Sequence, residues 1–228
     1  MPSTHEDKLC LYTEICDIIY PYLINENKIL NGIFFEGPYE LGNVHLKQGD
    51  VVIDAGANMG LFSAVASVKY GCKCIAFEPI PSTIDNYLSK TKELNGNITI
   101  EMYALSNVNK VLNFNLTKFS VTHHCADLNI PSIQKEPMQT LAVQAITLDD
   151  YVMQKNIKVD FIKADIEGSE RYLLMGAQRV LKEFAPKISI CTYHLPDDSK
   201  VLRELILKAN PKYTIFEKYQ KMYAYVEK

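Results

Sequence analysis

The regular alternation of apolar runs with amphipathic segments is the feature that most constrains the fold of this chain. Short runs rich in β-branched residues predict buried strands, whereas apolar residues three or four positions apart predict helices. Strands that alternate with helices indicate a parallel sheet with helices on both faces. The predicted strands are DVVIDA, KCIAFE, ITIEMYA, VDFIKAD and KISICTY, and the predicted helices cover 60–69, 81–93, 148–155, 169–181 and 198–209.

Two parts of the chain depart from this alternation. Between 108 and 146 the helical pattern is absent, and the stretches VLNFNL and TLAVQAI predict two strands around a polar loop. At the C-terminus, YTIFEK and KMYAYVE predict a hairpin, which we expect to add an antiparallel edge to the parallel sheet.

Length and composition predict a single domain with a substantial core. The chain has 228 residues, 47% of them hydrophobic, and no stretch rich in Pro, Gly or Ser divides it. We expect a domain over 39–228 and an N-terminal helical extension over 1–38, in which residues 5–20 form a helix.

The charge and the cysteine content limit the partners that we expect. A net charge of −3 argues against bulk electrostatic binding to nucleic acid or to an anionic membrane. No apolar run reaches the roughly 18 residues of a membrane span, and the N-terminus does not resemble a signal peptide. Six cysteines without such a signal indicate reduced thiols and a cytoplasmic protein, and Cys72 and Cys74 suit opposite faces of a strand. The expected partner is a small-molecule or glycan acceptor, and the oligomeric state stays open.

The stretch VVIDAGANMG resembles a nucleotide-binding loop, but its glycines do not suit a dinucleotide. A dinucleotide site requires glycines at 56, 58 and 61, whereas this chain has Asn58 and Leu61. Asp54 would also repel a pyrophosphate. A ligand with an ammonium group and one carboxylate fits better, because Asp54 attracts the ammonium, directly or through water, and the helix N-terminus after Asn58 receives the carboxylate. With Gly56 and Gly60 supplying the tight turn, this pattern predicts S-adenosylmethionine as the cofactor.

The adenosine part of this cofactor has predicted partners on the next two strands. Glu78 lies 22 residues after Gly56, at the distance where an acidic side chain binds a ribose diol in this architecture. At the end of the third strand, Ala104, Leu105 and Ser106 are expected to lie beside the adenine.

Several blocks of the sequence together resemble the FkbM-family methyltransferases. The resemblance implies a class I methyltransferase fold, which is a Rossmann-like three-layer sandwich with a mostly parallel seven-stranded sheet. It also implies S-adenosylmethionine as methyl donor and O-methylation of a small molecule, sugar or natural product. It covers about 39–200 but neither the N-terminal 38 residues nor the 118–137 segment. The blocks are GDVVIDAGANMGLFS, AFEPIP, ALSN, ITLDDYV, VDFIKADIEGSERYLLMGAQRVL and ISICTYH.

The stretch IKADIEGSE supplies candidates for catalysis. Its strand is expected beside the first strand, so Asp165 faces the transfer site and either orients the acceptor hydroxyl or accepts its proton. Glu167 is expected at the same site as Asp165. Lys163 either lowers the pKa of the acceptor hydroxyl or offsets the negative charge of these acids. Glu170 is expected to be a charge in the first helical turn. In the alternative interpretation, Asp165 and Glu167 only cap the helix that begins at Ser169.

Three histidines are further candidates. His194 ends the stretch ISICTYH, where its near-neutral pKa suits a general base. His123 and His124 lie in the polar loop and point in different directions on an extended chain, so one of them is expected to contact the acceptor. Asp165, Glu167 and a histidine have donor atoms for a divalent metal, but their spacing does not require one, and no metal is predicted.

Three functions therefore stay open. The first is an S-adenosylmethionine-dependent O-methyltransferase, the second is a protein that binds this cofactor without turnover, and the third is a nicotinamide-dependent oxidoreductase. Asn58 and Leu61 argue against the third function because they replace glycines of the dinucleotide site. The identity of the methyl acceptor is not indicated by the sequence.

Overall fold

A seven-stranded sheet forms the centre of the computed structural model, which describes residues 38–94, 97–117, 123–128 and 138–227. The N-terminal extension predicted over 1–38 lies almost entirely outside the described residues and stays a prediction. The strands are β1 Val51–Ala55, β2 Lys73–Phe77, β3 Ile98–Glu101, β4 Ala104–Leu105, β5 Val111–Leu116, β6 His124–Cys125, β7 Gln139–Ile146, β8 Phe161–Ala164, β9 Lys187–Cys191, β10 Thr214–Lys218 and β11 Lys221–Tyr225.

The order of strands in the main sheet is β10-β11-β9-β8-β1-β2-β3. Neighbours from β9 to β3 are parallel, whereas β11 is antiparallel to both β9 and β10. The predicted fold class and the C-terminal hairpin are confirmed. One detail differs, because the antiparallel strand β11 lies inside the sheet and β10 forms the edge. The more buried arm of the hairpin has taken the inner position, since β11 is almost wholly buried and β10 is half-exposed.

The helices follow the predicted positions with two differences. They are α1 Leu61–Tyr70, α2 Pro81–Thr83, α3 Ser89–Leu94, α4 Leu148–Lys155, α5 Glu170–Met175, α6 Gln178–Glu183 and α7 Asp198–Ala209, with a π-helical segment at Ile84–Leu88. The helix predicted over 81–93 therefore contains a π-helical part. The helix predicted over 169–181 is interrupted after α5, where Gly176 packs so closely on Ser106 that a Cβ would lie 2.1 Å from the Ser106 carbonyl oxygen.

A second, four-stranded sheet is formed between β3 and α4, with the order β4-β7-β5-β6. The two strands predicted around the polar loop are β5 and β7, and they pair antiparallel with Val111 opposite Gln144. The predicted strand ITIEMYA is divided between the sheets, because β3 ends at Glu101 and β4 pairs with β7. The second sheet thus begins directly at the edge of the first.

The core lies on both faces of the main sheet. In β1, Val52 packs into one buried cluster, whereas Ile53 and Ala55 pack into the other. This alternation follows from the strand geometry, in which successive side chains point to opposite faces. Cys72 and Cys74 were expected on opposite faces of a strand, but both are buried in the same cluster as Val52. Side chains two positions apart on an extended chain point to the same side. Among the described residues, no helix has the length and apolar character needed to span a membrane.

We expect Gly176→Ala to destabilise the protein more than Gly71→Ala. A methyl group at 176 would collide with the backbone of Ser106, and overpacking of this kind costs about 1–3 kcal/mol or more. At Gly71 the same change meets almost open space, so that only the strain of its positive φ is added. Urea unfolding of both variants measures the difference, and an equal loss would contradict the close packing at 176.

Candidate active site

A cavity of about 750 Å³ lies at the carboxyl ends of β1, β2 and β8. This is the edge of a doubly wound sheet at which ligands bind. The volume is in the range of sites that hold a molecule of drug or cofactor size. Its walls are mainly apolar, and the second sheet contributes to them through Leu112 and Phe114.

The loop after β1 has a backbone that only certain residues adopt easily. Gly56, Asn58 and Gly60 all have positive φ, at 74°, 48° and 81°. A Cβ at Gly56 would lie 1.9 Å from the carbonyl oxygen of Asp165. Gly56 is therefore required for contact between this loop and the end of β8. Gly56 and Asn58 line the cavity, whereas Gly60 precedes α1 and packs on the π-helical segment at Leu88.

Asp54 and Lys163 form a buried ion pair directly across β1 and β8. Their Cα positions are paired in the sheet, and Asp54 Oδ1 lies 3.0 Å from Lys163 Nζ. Ser63 donates a hydrogen bond to the other oxygen of Asp54. Lys163 Nζ also donates to the carbonyl oxygens of Ala55 and Gly56, at 3.3 Å and 2.7 Å. Burial lowers the pKa of Lys163, but the negative charges of Asp54 and Asp165 raise it above its ordinary value.

This arrangement differs from the one expected for Asp54. Its side chain is fully buried and does not line the cavity. The structure therefore does not place Asp54 where it could bind a ligand ammonium directly. Its carboxylate instead fixes Lys163, which does line the cavity and holds the loop after β1 through two carbonyl groups.

Glu78 joins the loops after β1 and β2. Its carboxylate accepts hydrogen bonds from the backbone N–H groups of Asn58 and Ile80, at 3.0 Å and 3.1 Å. Burial raises the pKa of Glu78 to about 7, although these two donors lower it in part. A carboxylate oxygen can accept more than one hydrogen bond, so Glu78 keeps acceptor capacity toward the cavity that it lines. Of the predicted cofactor residues, the cavity wall includes Gly56, Asn58, Glu78, Ala104, Leu105 and Ser106.

Asp165 lines the same cavity directly after β8. It accepts hydrogen bonds from the hydroxyl groups of Tyr39 and Tyr193, at 2.8 Å and 3.2 Å. Burial raises the pKa of Asp165, but Lys163 and His194, together with the Tyr39 hydroxyl, lower it below its ordinary value. Asp165 is thus ionised and well placed to orient a hydroxyl group. Because its partners are the two tyrosines, capping of α5 does not account for its position.

His194 is buried beside Asp165 and does not line the cavity. Three carboxylates surround the imidazole: Glu170 Oε1 lies 3.0 Å from Nδ1, while Glu167 Oε2 and Asp165 Oδ1 lie 3.5 Å and 3.7 Å from Nε2. Burial lowers the pKa of His194, but Glu170 and Glu167 outweigh it and raise the pKa to about 11. An imidazole that already carries its proton is a poor general base, so the geometry disfavours the role expected for His194.

Glu167 and Glu170 have different surroundings. Glu167 lines the cavity with a left-handed backbone, φ 52°, and burial raises its pKa to about 7. Glu170 is fully buried, and its carboxylate accepts a hydrogen bond from the N–H of Ile166. Glu170 was expected to be a first-turn helix charge, but it also closes the turn before α5 and contacts His194.

The two histidines of the polar loop point in different directions, as expected. His123 lines the cavity and accepts a hydrogen bond from the N–H of Thr117, whereas the His124 ring lies next to Asn115. Most of the loop between 118 and 137 lies outside the described residues.

Three residues at the site were not predicted from the sequence. Tyr39 and Tyr193 bind Asp165, and the buried Lys221 lines the cavity with its Nζ 4.6 Å from the Tyr39 ring centroid. Tyr39 precedes β1 in a loop without periodicity, and Lys221 begins β11, the second strand of the C-terminal hairpin. Neither position carries a pattern that indicates its proximity to Asp165.

Comparison with known proteins gives a matching family model and solved structures with a similar fold. The family model described as a methyltransferase FkbM domain matches residues 54–226. A crystal structure of methyltransferase FkbM from Methylobacillus flagellatus has a TM-score of 0.60 and 23% identity, which shows a shared fold. That alignment covers 83% of this chain but 48% of the other, so this chain spans about half the length of that protein.

Other structures superimpose less well. Precorrin-6y C5,15-methyltransferase from Geobacter metallireducens has a TM-score of 0.45 and 14% identity, over 79% of this chain and 80% of that one. A TehB-like SAM-dependent methyltransferase from Corynebacterium glutamicum has a TM-score of 0.42 and 14% identity, over 79% and 82% of the two chains. None of the curated proteins compared with this chain matches it.

We expect Lys163→Met to destabilise the protein by about 3–5 kcal/mol, because it leaves Asp54 as a buried charge without its partner. Adding Asp54→Asn to the same protein removes that charge and should restore part of the loss. Lys158→Met is the control, since the Lys158–Asp160 pair is more exposed and is worth at most about 1 kcal/mol. Urea unfolding measures all three proteins, and a double variant less stable than Lys163→Met would contradict this account.

Proposed function

The chain belongs to the FkbM methyltransferase family, and we propose that it transfers the methyl group of S-adenosylmethionine to a hydroxyl group of a small molecule, sugar or natural product. The observation that carries the proposal is the convergence of the Gly56 loop, Glu78 and Asp165 on one cavity at the carboxyl edge of the sheet. The Gly56 loop lacks the glycines of a dinucleotide site, and Glu78 is a buried acid after the next strand, so both suit this cofactor. Asp165 is an ionised acid after a third strand and suits an acceptor.

The cofactor is proposed to lie across the ends of β1 and β2. Its amino-acid end meets the Gly56–Asn58 loop and the N-terminus of α1, where backbone N–H groups and the helix dipole attract a carboxylate. Its ribose hydroxyls donate to Glu78, and its adenine lies against Ala104–Ser106. Asp54 contributes indirectly, since it holds Lys163 against the carbonyl groups of the loop.

The acceptor is proposed to lie beside Asp165. The acceptor oxygen attacks the methyl carbon in line with the sulfur, forming the C–O bond as the S–C bond breaks and leaves its electron pair on sulfur. The products are the methyl ether and S-adenosylhomocysteine, and the hydroxyl proton leaves to a cavity carboxylate, Asp165 or Glu167. The donor itself is positively charged at sulfur, so the anionic Asp165 suits this end of the cavity.

Glu78→Ala should weaken S-adenosylmethionine binding by about 1.5–3 kcal/mol, the range for hydrogen bonds to a charged acceptor. Isothermal titration calorimetry with the cofactor, and with NAD as comparison, measures this directly. Glu93→Ala, an exposed acid that does not line the cavity, should bind like the wild type.

The same titration has a pH dependence with a defined sign. Because the pKa of Glu78 is about 7, the carboxyl is increasingly protonated below that pH and accepts the ribose hydroxyls less well. Affinity should therefore fall between about pH 8 and pH 6 in the wild type and not in Glu78→Ala. Equal affinity of wild type and Glu78→Ala, or tight binding of NAD, would contradict the cofactor assignment.

Asp165→Asn should keep its affinity for S-adenosylmethionine but lose about 10²–10⁴-fold in the single-turnover rate, since an amide neither accepts the proton nor orients the hydroxyl as a carboxylate does. A panel of hydroxyl compounds and methyl-labelled donor first identifies an acceptor. Asp85→Asn, which changes an exposed acid outside the cavity, is the control. Normal turnover of Asp165→Asn would remove this residue from catalysis, and no transfer to any acceptor would favour a cofactor-binding protein without turnover.

A further inference from the structure

Glu170 and His194 lie behind the cavity wall next to Asp165, and neither has a role in the proposed reaction. In the described part of the chain, Asp165, Glu170 and His194 each offer a ligand atom, and these three atoms lie within 4.8 Å of one another. We propose that Asp165, Glu170 and His194 bind a divalent first-row transition-metal cation at the wall of the cavity. This site goes beyond methyl transfer and does not depend on the identity of the donor or of the acceptor.

The first support is the state of the polar atoms. Glu170 Oε2 has no hydrogen-bond partner among the described residues. The ring nitrogens of His194 have carboxylate oxygens at 3.0, 3.5 and 3.7 Å, but none of these contacts has the geometry of a hydrogen bond. Both side chains are almost completely buried, with His194 3% and Glu170 0% exposed. A buried polar atom without a hydrogen bond is costly and is found where a ligand, ion or water completes the group.

The second support is the charge of the cluster. Carboxylates of Asp165, Glu167 and Glu170 all lie within 3.7 Å of the imidazole of His194. The imidazole proton offsets one of these negative charges, and Lys163 and Lys221 act on Asp165 as well. A bound cation would displace the imidazole proton and take its place beside the carboxylates. Buried charges that are not offset are strongly unfavourable, and coordination to a metal is one of the ways in which proteins stabilise them.

The third support is the position of the donors on the fold. Asp165 follows β8, Glu170 begins α5 and His194 follows β9, so three separate elements hold them. Tyr39 fixes Asp165, and the N–H of Ile166 fixes Glu170. Donors held in this way by neighbouring groups are typical of metal sites, whose ligands are oriented by outer hydrogen bonds.

The chemistry of the donors limits the class of ion. Two carboxylates with one imidazole form a mixed oxygen and nitrogen set, which suits Mn²⁺, Fe²⁺ or Zn²⁺ better than Ca²⁺, which prefers oxygen ligands alone. The three ligand atoms lie within 4.8 Å of one another, so small side-chain shifts suffice to bring each of them to about 2.1 Å from one ion. Access is available because Asp165 and Glu167 line the cavity.

No metal was predicted from the sequence, because the spacing of Asp165, Glu167 and a histidine does not require one and Glu170 was expected to be a helix charge. The cluster forms only because β8 and β9 are neighbours in the sheet, which places the residues after both strands side by side. An ion bound there would lie next to the place proposed for the acceptor hydroxyl, which could then enter its coordination sphere through the cavity.

The test uses the full-length chain, treated with a chelator and titrated with Mn²⁺ in the absence of donor and acceptor. Calorimetry and the loss of the free Mn²⁺ signal in electron paramagnetic resonance should show one ion bound per chain. His194→Gln and Glu170→Gln should each weaken Mn²⁺ binding by at least roughly 10–100-fold. That is the cost of losing a residue that only hydrogen-bonds to a metal ligand, and the loss of a ligand itself costs no less. Glu183→Gln, an exposed acid paired with Arg179, is the matched control and should bind normally.

A spectroscopic measurement keeps the test decisive if the substituted proteins do not fold. Mn²⁺ bound to the wild type should show magnetic coupling to an imidazole nitrogen. Absence of binding, coordination by oxygen alone, or unchanged affinity in a folded His194→Gln protein would each overturn the metal site. None of these results bears on S-adenosylmethionine binding, so failure of the metal site leaves the proposed methyl transfer to be judged by its own experiments.

Discussion

The buried ion pair between Asp54 and Lys163 is the interaction on which the geometry of the cavity depends. It joins the paired positions of β1 and β8, and Lys163 continues from it to the carbonyl groups of Ala55 and Gly56. The loop after β1 is thereby drawn against the end of β8, where only a glycine at 56 leaves room for the backbone of Asp165. Charge pairing inside the sheet thus determines the shape of the surface that a ligand meets.

Two carboxylates that line the cavity, Glu78 after β2 and Asp165 after β8, differ in their chemistry. Glu78 is held by two backbone donors, and burial raises its pKa to about 7. Asp165 is held by two tyrosine hydroxyls and has a lowered pKa, as expected for an acid that stays charged. Near neutral pH Glu78 is therefore partly protonated whereas Asp165 is ionised, so the two sides of the cavity differ in charge.

The sequence was sufficient to predict the fold, because the alternation of strands and helices is a local property of the chain. It also placed the cofactor candidates on one edge of the sheet, since strand ends such as Glu78 follow from strand positions. It did not predict Lys163 as the partner of Asp54, because that contact depends on the register between two neighbouring strands. It did not predict the surroundings of His194 either, because they combine residues after β8 with residues after β9. Gly176 interrupts a predicted helix for the same reason, as its contact with Ser106 is made across the fold.

The central claim is that the cavity at the ends of β1, β2 and β8 is an S-adenosylmethionine site. A crystal structure of the full-length protein with S-adenosylhomocysteine tests this claim most directly, because it needs neither a known acceptor nor turnover. The account predicts the ribose hydroxyls within hydrogen-bond distance of Glu78, the homocysteine end at the loop from Gly56 to Asn58, and the sulfur facing Asp165. A ligand bound outside this cavity, or in it with the ribose away from Glu78, would contradict the account.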